Sequence, residues 1–181
     1  MNRIIGMLTA LLLLAPVAFA KPVVKLETTA GNLTIELHEQ EAPKTVDQFI
    51  KLVEDGFYDG KEFYRLVKDF VAQAGDVDGK SAGTVPLETS PKHRHVKGAV
   101  GLARDADPNS GTTEFYICLT AIPRLDGHYA VFGQVIEGMG VLDALNASPV
   151  EESYIDYEGK QVAFHKPSPP IRIIAAQVVS R

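Results

Sequence analysis

From Val23 onward the chain is a succession of short apolar stretches, each stopped within a few residues by Gly, Pro, Asp or Asn. This rhythm limits the fold more than any other feature. Stretches so short seldom make stable helices, and as strands they need neighbours to take up their backbone N–H and C=O groups. Val23 to Thr29 alternates apolar residues with Lys and Glu, Ala30-Gly31-Asn32 is a turn, and Leu33 to Leu37 returns, so the chain opens with a hairpin. Phe63–Val67, Phe70–Ala74, Gly98–Ala103, Phe115–Leu119, Tyr129–Val135 and Ile171–Val179 have the same strand-like form. Helical spacing occurs twice. Val46, Phe49, Ile50 and Val53 share one face, with Pro43 in the first turn and Asp55-Gly56 at the end; Met139, Leu142 and Leu145 predict a shorter helix after Gly138. Residues 76–95, Arg104–Thr113 and the polar Ser153–Pro170 read as loops. The pattern predicts a mainly β fold, a closed antiparallel β-barrel capped by two α-helices. A closed barrel exposes no edge strand, which suits a soluble monomer.

Composition narrows the functions open to such a barrel. A chain of 181 residues fits one domain, and a net charge of −5 argues against nucleic-acid binding, which needs a basic face. A single cysteine, Cys118, allows no intrachain disulfide, so the fold rests on its core. Between Ile117 and Leu119, that thiol is expected to be buried and inert. His93 and His95 lie in a polar loop with no third ligand indicated, so they are expected to be solvated rather than metal-bound. The first twenty residues have a different purpose. Arg3 is the one charge before Lys21, Leu11 to Leu14 sit within an uncharged run, and Ala18-Phe19-Ala20 has the small-x-small form of a cleavage site. Residues 1–20 therefore read as a secretory signal peptide, and 21–181 as one exported domain with no stable membrane association after cleavage.

Three collinear segments point to a function. The first runs Phe63-Tyr64-Arg65 through Phe70-Val71-Ala72-Gln73-Ala74-Gly75-Asp76. The second is Gly101-Leu102-Ala103-Arg104 followed by Pro108-Asn109-Ser110-Gly111-Thr112-Thr113-Glu114-Phe115-Tyr116-Ile117, and the third is Leu125-Asp126-Gly127 through Val131-Phe132-Gly133-Gln134-Val135. Together they resemble the cyclophilin family of peptidyl-prolyl cis–trans isomerases, in order and over nearly all of 21–181. With the leader, the pattern resembles the bacterial periplasmic members. The resemblance implies a cyclophilin-like barrel of about eight strands, no cofactor, no metal, and proline-containing unfolded or folding polypeptides as partners. It implies that Arg65 hydrogen-bonds at the prolyl nitrogen, that Gln73 holds the substrate backbone, that Phe70 floors a proline pocket, and that Ala103 and Leu125 line it. Val71, Glu114, Tyr116, Arg124 and Tyr129 occupy substrate-binding positions where Met, Gln, Phe, Trp and His are commonest in the family.

The chemistry of the reaction asks for these residue types independently. Rotation about an X-Pro amide is opposed by a barrier of about 18–20 kcal/mol, because the nitrogen lone pair is delocalised into the carbonyl. In the twisted transition state that lone pair localises. A donor aimed at the nitrogen, within apolar walls that exclude water, binds the twisted form better than either planar one. An arginine is always charged and can donate to several acceptors together. No bond breaks, so no nucleophile is required.

The departures set further expectations. Glu114 is predicted to pair with or orient Arg65, and Arg124 in place of Trp to weaken binding of cyclosporin-like inhibitors. Strand alternation places Phe115 and Tyr116 on opposite faces, and the family pattern selects Tyr116 for the pocket. An alternative is a low-turnover proline-peptide-binding chaperone on the same fold. An unrelated small-ligand barrel would instead show a deep internal cavity.

Overall fold

A computed structural model describes residues 21–76, 82–157 and 159–181. The predicted leader, and part of the 76–95 segment, lie outside the described residues. Among the described residues, ten strands and two α-helices follow in the order β1 (Val23–Thr28), β2 (Gly31–Leu37), α1 (Pro43–Glu54), β3 (Arg65–Val67), β4 (Val71–Ala74), β5 (Ala99–Leu102), β6 (Phe115–Cys118), β7 (Val131–Glu137), α2 (Met139–Ala147), β8 (Val150–Tyr157), β9 (Lys160–Pro167) and β10 (Ile173–Ser180). A short 3-10 turn, Pro123–Leu125, precedes β7.

Eight of these strands form one curled antiparallel sheet in the order β10-β1-β2-β7-β5-β6-β4-β3. The two end strands meet just before their ladders begin. Glu62 bridges Arg172, the Phe63 N–H donates to the Ile171 carbonyl at 2.9 Å, and the Ile173 N–H donates to the Lys61 carbonyl at 2.8 Å. An Arg172–Glu62 ion pair at 2.7 Å fastens the same seam. The expected mainly β, helix-capped architecture is thus observed, with closure made by this short seam.

Period-two alternation accounts for the core. Val24 and Leu26 of β1, with Leu33, Ile35 and Leu37 of β2, are fully buried. Helix α1 covers them with Val46, Phe49, Ile50 and Val53, the face read from the sequence. Phe49 meets Tyr58, Phe115 and Phe132 at centroid distances of 5.3, 5.4 and 5.0 Å, in tilted or edge-on geometries favourable for aromatic rings. Helix α2 buries Leu142 and Leu145. It starts at Gly138, whose φ is 92°; a Cβ there would lie 2.2 Å from the Asn32 carbonyl oxygen, so only glycine fits.

The outer face of the sheet carries a second, smaller cluster. Alternation in β6 sends Phe115 and Ile117 into the main core and Tyr116 and Cys118 into this cluster with Val71, Ala99, Ile122 and Val131. Phe70, Ala103, Leu125 and Tyr129 pack on it. Cys118 is buried as expected, and burial pushes its thiol up to about 12.

Two expectations are corrected. Most of Ser153–Pro170 is not loop: Val150–Tyr157 and Lys160–Pro167 pair as a two-stranded antiparallel hairpin. Its polar composition suggested solvated coil, yet a hairpin with both faces largely outside the core needs few apolar residues. Of the two loop histidines, His95 is not solvated and His93 is only partly so. His95 is only 2% exposed, and the ring of His93 stacks on His38 at 3.5 Å while its Nε2 lies 3.4 Å from Glu41.

Candidate active site

Strand register brings residues from the three motifs into one row. Arg65 of β3 stands opposite Gln73 of β4, Gln73 opposite Tyr116 of β6, Tyr116 opposite Gly101 of β5, and Gly101 opposite Val131 of β7. Directly paired residues project to the same face. Gly101 is required by its neighbour: a Cβ there would lie 2.3 Å from Cζ of Tyr116. The missing side chain lets the Tyr116 ring lie across β5.

The row opens into a cleft of about 190 Å³ lined by Arg65, Phe70, Val71, Gln73, Ala103, Arg104, Tyr116, Leu125 and Tyr129. Eight of these nine were expected from the sequence; Arg104 is the addition. Tyr116 and Tyr129 meet edge to face at 6.2 Å. Arg104 lies over the Tyr129 ring at 4.4 Å and donates to the His128 carbonyl at 2.8 Å. Arg124 does not line the cleft. It is exposed and stacks over Phe70 at 4.5 Å, bracing that ring by a cation–π contact.

Arg65 is held from one side. Its Nη1 donates to Gln73 Oε1 at 3.0 Å, and the Gln73 amide donates to the Tyr64 hydroxyl at 2.6 Å and to Glu114 Oε1 at 3.3 Å. The Tyr64 hydroxyl donates to the same Glu114 oxygen. Because its amide end has two acceptors, Gln73 must turn its carbonyl to Arg65. Burial pushes the Glu114 carboxyl above its usual range, opposed by the hydrogen bonds from Tyr64 and Gln73. The expectation for Glu114 is corrected in part: it makes no direct pair with Arg65 and reaches it through Gln73. Tyr64, adjacent to Arg65 in the motif, received no role from the sequence because its partner Glu114 lies 50 positions away.

A second chain of bonds holds Tyr116 from behind. Its hydroxyl lies 2.9 Å from His95 Nε2, and His95 Nδ1 lies 2.9 Å from Asp126 Oδ1. The His95 backbone N–H also donates to Asp126 Oδ1, at 2.8 Å. That bond, with those from the His95 ring and Arg94, holds the Asp126 carboxyl below its usual range. An ionised Asp126 accepts from Nδ1–H, leaving the Nε2 lone pair for the Tyr116 hydroxyl; burial pushes the Tyr116 hydroxyl up, so it keeps the proton it donates. The sequence signals were present but unassigned: the His93-Arg94-His95 cluster, and Asp126 inside the third motif.

A neighbouring cleft of about 250 Å³ shares Arg65, Gln73, Ala103 and Arg104 with the first and adds Tyr64, Asp105, Glu114, Ile155, Val162 and Phe164. A wider groove of about 560 Å³ beside α1 mixes the charged Lys44, Asp47, Lys51 and Asp55 with Leu52, Phe57 and Ala82, and contains none of the motif residues. Among the described residues, no three His, Cys, Asp or Glu side chains gather as a metal site would require.

An arginine on the rim of a cleft walled by aromatic and aliphatic side chains, built on a curled eight-stranded sheet, defines a site for proline-directed chemistry without covalent catalysis. Residues 23–178 match the family described as cyclophilin type peptidyl-prolyl cis-trans isomerase/CLD. The chain is 33% identical to a Neurospora crassa protein called peptidyl-prolyl cis-trans isomerase-like 1, over 86% of this chain and 93% of that one. It is 31% identical to a peptidyl-prolyl cis-trans isomerase of Acinetobacter baylyi, over 93% and 92%. A crystal structure of a Cryptosporidium parvum cyclophilin, obtained in the presence of the dipeptide Ala-Pro, superposes with a TM-score of 0.75 at 27% identity, covering 88% of this chain and 99% of that one. The chain belongs to the cyclophilin-type peptidyl-prolyl cis-trans isomerases, and its activity is that of the family.

Proposed function

We propose that Arg65 is the group that acts on the rotating bond, that Phe70, Val71, Ala103, Tyr116, Leu125 and Tyr129 seat the proline ring, and that the substrates are proline-containing polypeptides exported from the cytoplasm. The observation that carries this reading is the position of the Arg65 guanidinium, on the rim of the apolar cleft and turned by Gln73. With its ring against Tyr116 and Leu125, a proline directs its nitrogen toward Arg65. Donation to that nitrogen as it pyramidalises favours the twisted amide. One such charged hydrogen bond, at about 1.5–3 kcal/mol, supplies about one to two decades of rate. The pre-set walls, held by Gly101 and by the Asp126–His95 pair behind Tyr116, supply the remainder by holding the ring while the preceding carbonyl turns. Gln73 acts in this scheme as a positioning residue: both ends of its amide are engaged in holding Arg65, which differs from the substrate-holding role that the resemblance implied.

Export rests on the uncharged stretch before Lys21 and its Ala-Phe-Ala end. On this reading the domain 21–181 works in a bacterial periplasm, where folding chains expose X-Pro bonds and a soluble monomer can reach them. Fractionation of cells expressing the full chain, with N-terminal sequencing, should find a chain beginning at Lys21 outside the cytoplasm; an uncut cytoplasmic chain contradicts export. Protease-coupled turnover of an X-Pro peptide tests the site. Arg65→Ala should lower kcat/KM by about 10- to 100-fold with little change in melting temperature. Unchanged turnover removes Arg65 from the mechanism, and peptide binding without turnover in the parent favours the chaperone reading.

A further inference from the structure

The β8–β9 hairpin uses its apolar residues unlike the rest of the molecule. Ile155 pairs with Val162, and Ser153 with Phe164, so Ile155, Val162 and Phe164 share one face. None of the three belongs to either buried cluster. Phe164 meets the Tyr64 ring edge-on at 5.7 Å, which ties the hairpin beside β3. Ile155 and Val162 line the 250 Å³ cleft beside Phe164 without a ring partner of their own, and Val162 remains 38% exposed. A hairpin that only shielded the edge of β3 would have no reason to leave this apolar pair facing open space.

The second cleft begins where the first ends, since Arg65, Gln73, Ala103 and Arg104 border both. The rotating bond joins the prolyl nitrogen to the carbonyl carbon of the preceding residue. With the nitrogen directed at Arg65, the chain that leaves on that side is the chain preceding the proline. At about 3.3–3.6 Å per extended residue, its nearest side chains come to the hairpin. The charges on this lining offset one another, Arg65 and Arg104 against Asp105 and Glu114, so the open apolar pair is what distinguishes one side chain from another there.

We infer that the Ile155–Val162 face of the hairpin is a substrate-specificity element: it receives a large, uncharged apolar side chain from one of the two residues preceding the proline. The inference rests on the placement of proline and Arg65 proposed above.

Short peptides carrying Gly, Leu or Glu at each of those two positions test it. The readout is the ratio of kcat/KM between Leu and Gly peptides, accompanied by the ratio of their binding affinities from fluorescence anisotropy. At one of the positions the full-length parent should prefer Leu over Gly by about tenfold, and Glu should gain nothing over Gly. In Ile155→Ser/Val162→Ser the Leu-to-Gly ratio should fall toward one. In Val162→Trp, which fills the cleft, it should fall below one. A parent ratio near one at both positions, or a parent ratio that survives both variants, overturns the inference. An equal slowing of Leu and Gly peptides leaves the ratio intact and counts against it in the same way. If no peptide is turned over, the proposed site roles fail, while the binding ratios still decide the role of the hairpin.

Discussion

In β6, Phe115 and Ile117 face the main core and Tyr116 and Cys118 face the cleft cluster, so all four residues are buried. In β9, Val162 and Phe164 alternate with exposed Gln161, Ala163 and His165, and their apolar face looks into an open cleft. A strand in the middle of a curled sheet is committed on both sides. Any change there alters the core, the site, or both. A two-stranded hairpin has little stability of its own and holds on through a few contacts such as Phe164 on Tyr64. Its side chains can change without disturbing the barrel. The part of the cleft built on β6 therefore sits where the fold tolerates least, and the proposed selectivity sits where it tolerates most.

The sharpest break of that comparison is a matched truncation. Phe115→Ala should destabilise by about 3–5 kcal/mol, as an emptied core site does, whereas Phe164→Ala should cost about 1 kcal/mol or less. Denaturant midpoints measure both, and similar losses would mean that the hairpin is part of the cooperative core. Next in size is Tyr116→Phe. It leaves His95 Nε2 buried without its partner, 2.9 Å away in the parent, at a cost of about 1–3 kcal/mol. The same change made on top of His95→Ala should add much less; additive costs would show that the two side chains do not act together. The smallest effect is expected at Glu114→Gln and is a matter of pH. Burial raises the Glu114 pKa in the folded chain from 4.5, so the folded state takes up a proton before the unfolded state as pH falls. The parent therefore loses stability as pH rises from about 4.5 through the raised value, and the amide does not. Melting curves should show the variant ahead at about pH 7, with the gap closing below about pH 4. A gap that widens on acidification would show the carboxylate to be stabilising.

Much of this was legible in the residues. The opening hairpin, the buried face of α1, the opposite faces of Phe115 and Tyr116 and the inert Cys118 all follow from periodicities of two and 3.6, which are local. Arg65, Phe70 and Gln73 were legible because the family motif keeps them together within nine residues. Other features left signals that nothing local could assign. His95 stands in a polar loop, and nothing nearby announces that its ring is buried between Asp126, 31 positions on, and Tyr116, 21 positions on. Glu114 was expected at Arg65 because the two motifs suggested proximity, but two acceptors for the Gln73 amide decided the path between them. The hairpin was hidden by its composition. Its few apolar residues serve a cleft rather than a core, so they are too sparse to read as strands.

The order of residues alone decided which segments became strands and helices, which faces they bury, and that an arginine, a glutamine and a group of ring-shaped side chains would share a site. Those outcomes depend on spacing along the chain, and spacing is written in it. Folding in three dimensions decided the row Arg65–Gln73–Tyr116–Gly101, the buttress of His95 and Asp126, and the cover that β8–β9 lays beside Arg65. Each of these needs groups far apart in sequence to meet within about 3–6 Å, and only strand register and loop packing set such distances.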